Sequence, residues 1–351
     1  MSPRGVHPLR LARRRLLSTL LVVPVLAACV PGAAPTPTPA PSAVTPASRP
    51  AAGQPGSPEN PLRMAFVPSV DSQRVLAAGR PLADLLEQVT GYRFEVSVPT
   101  SYVAVIEALG AGKADIAWLA PFAYVLAHDR YRVEVILTTV RQGSRTYRAQ
   151  FIAHVDAGIQ RLEDLRGKRF AFADPASASG FLYPAATLKE KGYDYQTFFR
   201  EVVFAGGHDK VVIAVYNRQV DGGATFGRSS EDPNAPPTDA RVRLQSTLPD
   251  VLQKVRVIAE TDPIPNDTVS VRQGLPPAVV ERVRTGLLEL AQTGRGKEVL
   301  RQLYQIDGLA EARDSDYDGL RRKAQILGFS FEQALQPAPT PVATPTPAAR
   351  Y

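Results

Sequence analysis

The chain of 351 residues has one cysteine, Cys29, one tryptophan, Trp118, two methionines and four histidines. A single cysteine can form no disulfide within the chain and no cysteine metal site, so packing has to hold the fold. The histidines of the body, His128, His154 and His208, show no ligand spacing, and neither a metal nor a cofactor is implied. There is no Gly-x-Ser-x-Gly elbow, no internal repeat of fixed period, and no apolar run long enough for a confident membrane span.

What is present begins with an export signal. Met1 to Ala28 carries Arg4, Arg10, Arg13, Arg14 and Arg15 without an acid, followed by the apolar run Leu16 to Ala28. Removing those five arginines lowers the formal charge from +7 to +2, and no basic block with interleaved aromatics remains, so nucleic acid is not a partner. Leu26-Ala27-Ala28-Cys29 resembles the lipidation site of bacterial lipoproteins, which makes Cys29 the attachment point of a membrane anchor. Arg13-Arg14 also resembles a twin-arginine signal, and the general and twin-arginine export routes both stay open.

Residues 29–61 hold the anchored cysteine and then ten prolines among Ala, Thr and Ser, a composition that buries no core and reads as a tether. Residues 337–351 repeat that composition as a tail. Between them, short apolar runs alternate with helical spacing, which predicts an α/β body with mainly parallel strands. A first lobe is expected over 62–150, a second over 151–262, and a return to the first over 263–336. Pro263 and Pro265 mark the expected return crossing, and Ser229 to Thr238 reads as a polar surface insertion.

One stretch points to chemistry. Asp174-Pro175-Ala176-Ser177-Ala178-Ser179-Gly180 places small hydroxyl residues where the strand Arg169 to Ala173 gives way to a helix running to about Lys191. With Ser177 or Ser179 as N-cap, the first helical amides lack partners, and the positive end of the helix favours an anion. The serines could equally do no more than cap the helix.

Several segments, in order, resemble the substrate-binding proteins of ABC importers for phosphate, phosphite and phosphonates. They are Thr100-Ser101-Tyr102-Val103-Ala104-Val105, Lys113-Ala114-Asp115-Ile116-Ala117-Trp118-Leu119-Ala120-Pro121-Phe122-Ala123-Tyr124, Leu165-Arg166-Gly167-Lys168-Arg169, the serine turn, Phe204-Ala205-Gly206-Gly207-His208-Asp209 and Gln219-Val220-Asp221. The resemblance implies an α/β type II periplasmic-binding fold, in which two lobes joined by a hinge enclose a ligand cleft. It also implies that a small oxyanion meets Tyr102, Tyr147, Ser177, the amide of Ala178, Ser179 and His208, with Asp267 accepting a hydrogen bond from a protonated oxyanion and repelling a fully ionised one. No acid stands in Ala224-Thr225-Phe226-Gly227-Arg228, where members that read an amino group carry one, so phosphate, phosphite or a small alkyl phosphonate is favoured. The implied protein is a monomeric, non-enzymatic lipoprotein at the outer face of the cytoplasmic membrane, working with an ABC permease and ATPase.

Two rival readings come from the same residues. Ser177 or Ser179 as nucleophile, His208 as base and Asp209 or Asp221 as its orienter would make a hydrolase. The fold also serves sensors and binders of other anions or small heterocycles.

Overall fold

The computed structural model describes residues 49–230, 232, 235–329 and 332–333. The export signal, Cys29, most of the tether and the tail 337–351 lie outside the described residues.

The chain runs β1 (Leu62–Phe66), α1 (Ser72–Thr90), β2 (Phe94–Ser97), α2 (Tyr102–Gly110), β3 (Ile116–Leu119), α3 (Pro121–Tyr131), β4 (Glu134–Val140) and β5 (Thr146–His154). It continues through β6 (Arg169–Phe172), α4 (Tyr183–Glu190), α5 (Tyr195–Phe198), β7 (Glu201–Phe204), α6 (His208–Tyr216), β8 (Gly222–Phe226), α7 (Val251–Lys254) and β9 (Val255–Pro265). The last elements are β10 (Thr268–Val271), α8 (Pro277–Leu290), α9 (Gly294–Tyr304), β11 (Gly308–Ala310) and α10 (Asp318–Leu327).

Among the described residues the strands form two sheets, ordered β11-β4-β10-β3-β1-β2 and β7-β6-β8-β5-β9. Side chains alternate across each strand, so each sheet separates two cores. Leu62, Met64 and Phe66 of β1 join the core beneath α1, α8 and α9, whereas Ala65 and Val67 join the one beneath α2 and α3. In the second sheet Phe170 and Phe172 of β6 face a phenylalanine-rich core with Phe151 and Phe181, and Ala171 faces Val211, Val212 and Val215 of α6.

The sheets are mixed rather than mainly parallel. β1 pairs in parallel with β2 and β3, and β6 with β7 and β8, while β4, β5, β9, β10 and β11 pair antiparallel. The antiparallel half arises where the chain passes between lobes. β4 and β5 are consecutive strands in different sheets, and so are β9 and β10. The first passage therefore falls ahead of Thr146, at the polar turn between β4 and β5. The return lies after Pro265, because β9 runs unbroken through Pro263 and Pro265, which pair with Arg148 and Thr146. A strand tolerates those prolines because it is the sheet's outermost. Asn266 holds the two passages side by side, its buried amide donating to the carbonyls of Thr139 (2.9 Å) and Ser144 (3.0 Å).

Two further departures concern composition. The end of the proline-rich stretch is structured, because the Gly56 carbonyl accepts from the Arg93 amide at 2.8 Å and Ser57 is fully buried. Gly56 lies at φ +88 with a Cβ position only 2.5 Å from the Tyr92 ring, so this contact requires glycine. The last helix, α10, ties both lobes together. Lys323 pairs with Glu190 (2.6 Å) and Asp262 (3.0 Å) of the second lobe, and Arg321 pairs with Asp314 (2.7 Å) and Asp129 (3.4 Å) of the first.

Candidate functional site

After β6 the chain turns on Asp174, whose carboxylate accepts from the Ala176 amide at 2.8 Å and whose carbonyl accepts from the Ser177 amide at 2.9 Å. Pro175 forces this turn by ending the strand ladder. Ser177 is the N-cap, and its Oγ accepts from the Gly180 amide at 2.9 Å. The helix does not open in the α form expected from the serines. Ala178–Leu182 is a π turn in which the Leu182 amide reaches the Ser177 carbonyl at 3.0 Å, and α4 follows. This wider turn leaves the amides of Ala178 and Ser179 without an acceptor among the described residues. Gly180 makes it possible, since a Cβ there would stand 2.4 Å from the Ala173 Cβ.

The turn faces a cavity between the lobes. Tyr102, Tyr147, Ser177, Ser179, His208 and Asp267 all line it, drawn from segments far apart in sequence, and Ala178 lies fully buried in the same turn. Its volume is about 50 Å³, above the roughly 10–15 Å³ that one water requires, so a small ion has room. Three contacts between lobes shut it. The His208 amide donates to the Ser69 carbonyl at 3.0 Å, the Tyr102 amide faces the Asp174 carboxylate, and the Asp71 amide faces that of Asp209.

The lining is rich in donors. Tyr147 donates to Ser179 Oγ at 3.3 Å, whereas the Tyr102 hydroxyl is buried with no partner among the described residues. Burial, with nearby carboxylates second, pushes both phenols up, so they remain protonated donors. His208 is 3 % exposed, and burial followed by the charge of Arg243 lowers its pKa to about 3. The ring is therefore neutral. Its Nδ1 accepts from the Phe226 amide at 3.3 Å, which puts the proton on Nε2, 3.5 Å from Ser177 Oγ. Asp174, beneath the turn, is raised to about 6 by burial, a rise that its hydrogen bonds to backbone amides oppose.

Sequence reasoning missed several lining residues, Arg141, Arg243 and Tyr304 among them. Arg141 pairs with Asp267 at 2.5 Å, so the repulsion expected from a bare Asp267 carboxylate is offset by an adjacent guanidinium. Tyr304 donates to the Val67 carbonyl at 2.8 Å. Arg243 sits with its guanidinium 4.8 Å from the Phe226 ring centre, and its buried Nε has no partner among the described residues. The stretch read as a surface insertion also contributes, because Ser229 and Thr238 line the cavity and Ser229 is buried. Arg141 could have been found from its place at the passage between lobes. Nothing local marks Arg243. Trp118 and Tyr124 belong to the packing, Trp118 stacking on Phe66 and the Tyr124 hydroxyl donating to Asp314 at 2.8 Å.

Two lobes closed over a donor-lined cavity form the arrangement of a binding protein, and residues 64–317 match the family model described as the periplasmic substrate-binding protein of a phosphonate ABC transporter. The chain belongs to that family. It is 28 % identical over 294 residues to the phosphate-import protein PhnD of Mycolicibacterium smegmatis, covering 78 % of this chain and 87 % of that one. It is also 28 % identical over 250 residues to the phosphonates-binding periplasmic protein of Escherichia coli, covering 70 % of each. Among solved structures, a binding protein of an ABC phosphonate transporter from Pseudomonas aeruginosa superposes with a TM-score of 0.68 at 24 % identity, over 76 % of this chain and 86 % of that one. PhnD1 of Prochlorococcus marinus, solved with methylphosphonate, gives 0.66 at 16 % identity, over 76 % and 98 %. The fold is thus the two-lobed type II periplasmic-binding fold, and phosphonate-family binding proteins of this kind work outside the cytoplasm beside the other components of an ABC transporter. Among the described residues no group of side chains could hold a metal ion, and no helix is long and apolar enough to cross a membrane.

Proposed function

We propose that this phosphonate-family binding protein captures a small tetrahedral phosphorus oxyanion, namely phosphate, phosphite or a short alkyl phosphonate, in the cavity between its lobes and delivers it to a permease. One observation carries the reading. The cavity collects donors with no acceptor among the described residues: the Tyr102 hydroxyl, the amides of Ala178 and Ser179, and the Nε of Arg243. Buried donors left unpaired cost free energy that a ligand with several acceptor oxygens recovers. Tyr147, Ser177, Ser179 and His208 complete the ring, and Asp267 offers its remaining acceptor capacity to a ligand P–OH.

Size and charge narrow the choice. The cavity is small, about 50 Å³, and its one lining carboxylate is already engaged by Arg141, which disfavours an amino-bearing ligand. The relatives named for phosphate import and for phosphonate binding agree with this class. Binding is also a better account than hydrolysis. The nitrogen of His208 that a triad would give to a carboxylate takes the Phe226 amide, and Asp221 is held by Arg169 at 3.0 Å.

Around this site the division into lobes 62–150, 151–262 and 263–336 belongs to the same proposal, with the first passage at 141–145. So do a monomeric state and attachment to the membrane through a lipid on Cys29. Titration calorimetry of the full chain against phosphate, phosphite, methylphosphonate, aminoethylphosphonate and sulfate tests the ligand class. Binding of the first three without turnover supports it, and binding of none of them refutes it. Labelling of the chain by a radioactive fatty acid, lost in Cys29→Ala, tests the anchor.

A further inference from the structure

The two arginines of the cavity differ in what they have left to give. Arg141 is committed, because Nε donates to the Tyr304 carbonyl at 2.9 Å, one terminal nitrogen to Thr139 Oγ1 at 3.1 Å and the other to Asp267 at 2.5 Å. Its charge is balanced by that carboxylate. Arg243, on the short turn Val242–Leu244, makes no hydrogen bond or ion pair through its guanidinium with any described residue. It lies over one part of the Phe226 ring, and His208 packs edge-on against the same ring at 5.0 Å.

The charged and titratable groups around Arg243 are Arg141, Asp209, Asp267, Tyr304, His208 and Arg74. His208 and Tyr304 are neutral at ordinary pH, and Asp267 is taken by Arg141. Asp209 accepts from the Asp71 amide; burial raises its pKa and the charge of Arg243 opposes that rise, with no hydrogen bond between the two side chains. The cavity therefore holds a guanidinium that feels nearby carboxylates but whose donors are unmet among the described residues. Burial, then Arg141, lowers the pKa of Arg243 to about 10, which leaves it a cation at neutral pH. Hydroxyls, amides and a neutral imidazole hydrogen-bond to any oxyanion, whatever its charge. An unpaired guanidinium gains with each added negative charge.

We propose that Arg243 sets the charge of the ligand, so that the cavity prefers a doubly ionised phosphorus oxyanion to a singly ionised one. This rests on the reading above that the cavity takes a phosphorus oxyanion at all.

The test is calorimetry of the full chain with inorganic phosphate on either side of its second ionisation. Phosphite is then compared with hypophosphite, an anion of similar size that ionises only once. The wild type should bind phosphate more tightly as it becomes a dianion, and phosphite roughly tenfold or more above hypophosphite, the scale of one extra charge near a desolvated guanidinium. Arg243→Gln should still bind but lose both preferences, and Arg243→Lys should keep most of each, separating charge from shape. Ligand-free melting curves show whether each variant folds. If Arg243→Gln does not fold, the phosphite to hypophosphite ratio of the wild type decides, with near-equal affinities overturning the proposal. An Arg243→Gln protein that keeps both preferences also overturns it and leaves the ligand class standing. A wild type that binds no phosphorus oxyanion overturns both.

Discussion

Each lobe has a turn that leads from its first parallel strand into a helix, and in both a side chain caps the amide three residues on, although the second helix opens with a π turn. After β1 the N-cap is Asp71, whose carboxylate accepts from the Arg74 amide three residues on at 3.0 Å. After β6 the N-cap is Ser177, whose hydroxyl accepts from the Gly180 amide, also three residues on, at 2.9 Å. Both caps satisfy one orphan amide. The carboxylate also brings a negative charge to the positive end of its helix and so occupies the place an anion would take. The hydroxyl leaves that place open. The fold thus offers an anion-holding turn twice, and the sequence leaves it available once.

The largest way to break this comparison is to make the second turn like the first. Ser177→Asp keeps an oxygen at the cap but buries a carboxylate at a position 1 % exposed, so the ligand-free melting temperature should fall and the ligand should meet a like charge as well. Calorimetry with phosphate should show affinity lost by about a thousandfold or more, on the order of 4 kcal/mol for an uncompensated buried charge. Retained binding would mean that the turn does not touch the ligand.

The lobes repeat a second device, and here they differ in degree. In the first, Asp115 accepts from the Arg63 amide (2.9 Å) and guanidinium (3.0 Å) and from Arg272 (2.8 Å), with its side chain 4 % exposed. In the second, Asp221 accepts from the Arg169 amide (2.9 Å) and guanidinium (3.0 Å), with its side chain 26 % exposed. Asp115→Asn should cost about 3 kcal/mol in urea unfolding, as for breaking a buried pair. Asp221→Asn should cost about 1 kcal/mol, because solvent screens it. Burial pushes both carboxyls up, but their arginine hydrogen bonds outweigh it and hold them below the ordinary value. That stabilisation is present above the unfolded pKa near 4 and is lost as the pH falls through the depressed values. Asp115→Asn should therefore remove more of the acid-induced loss than Asp221→Asn.

A smaller effect concerns the imidazole beside the serine turn. His208 is lowered from 6.5 to about 3, so the unfolded chain binds a proton in that interval that the folded one refuses. Stability falls as the pH drops across the window, and His208→Gln should flatten that limb in melting curves. Smallest of all, Asp71→Ser exchanges one good cap for another and should shift stability by no more than about 0.5 kcal/mol in urea unfolding.

How far these features could be read in advance depends on how local each one is. The serine turn was visible because strand, proline, hydroxyls and glycine adjoin in sequence. Tyr102, Tyr147 and His208 were placed through family resemblance, and the fold brings them with Ser177, Ser179 and Asp267 to one cavity. Arg141 and Arg243 escaped because their role is set by assembly. Arg141 matters through Asp267, 126 residues away, and Arg243 arrives on a stretch with little apolar patterning. The π opening of the helix was equally hidden, since the choice between α and π is decided by packing of Gly180 against Ala173. The predominance of parallel strands was overestimated because hydropathy does not record strand direction.

The prolines of β9 matter beyond the cleft. The outermost strand of a sheet is where a second molecule can add its own backbone and begin a fibre. With Pro263 and Pro265 on that rim, two of the donors such growth would use are missing, so copies crowded together can meet without templating one another.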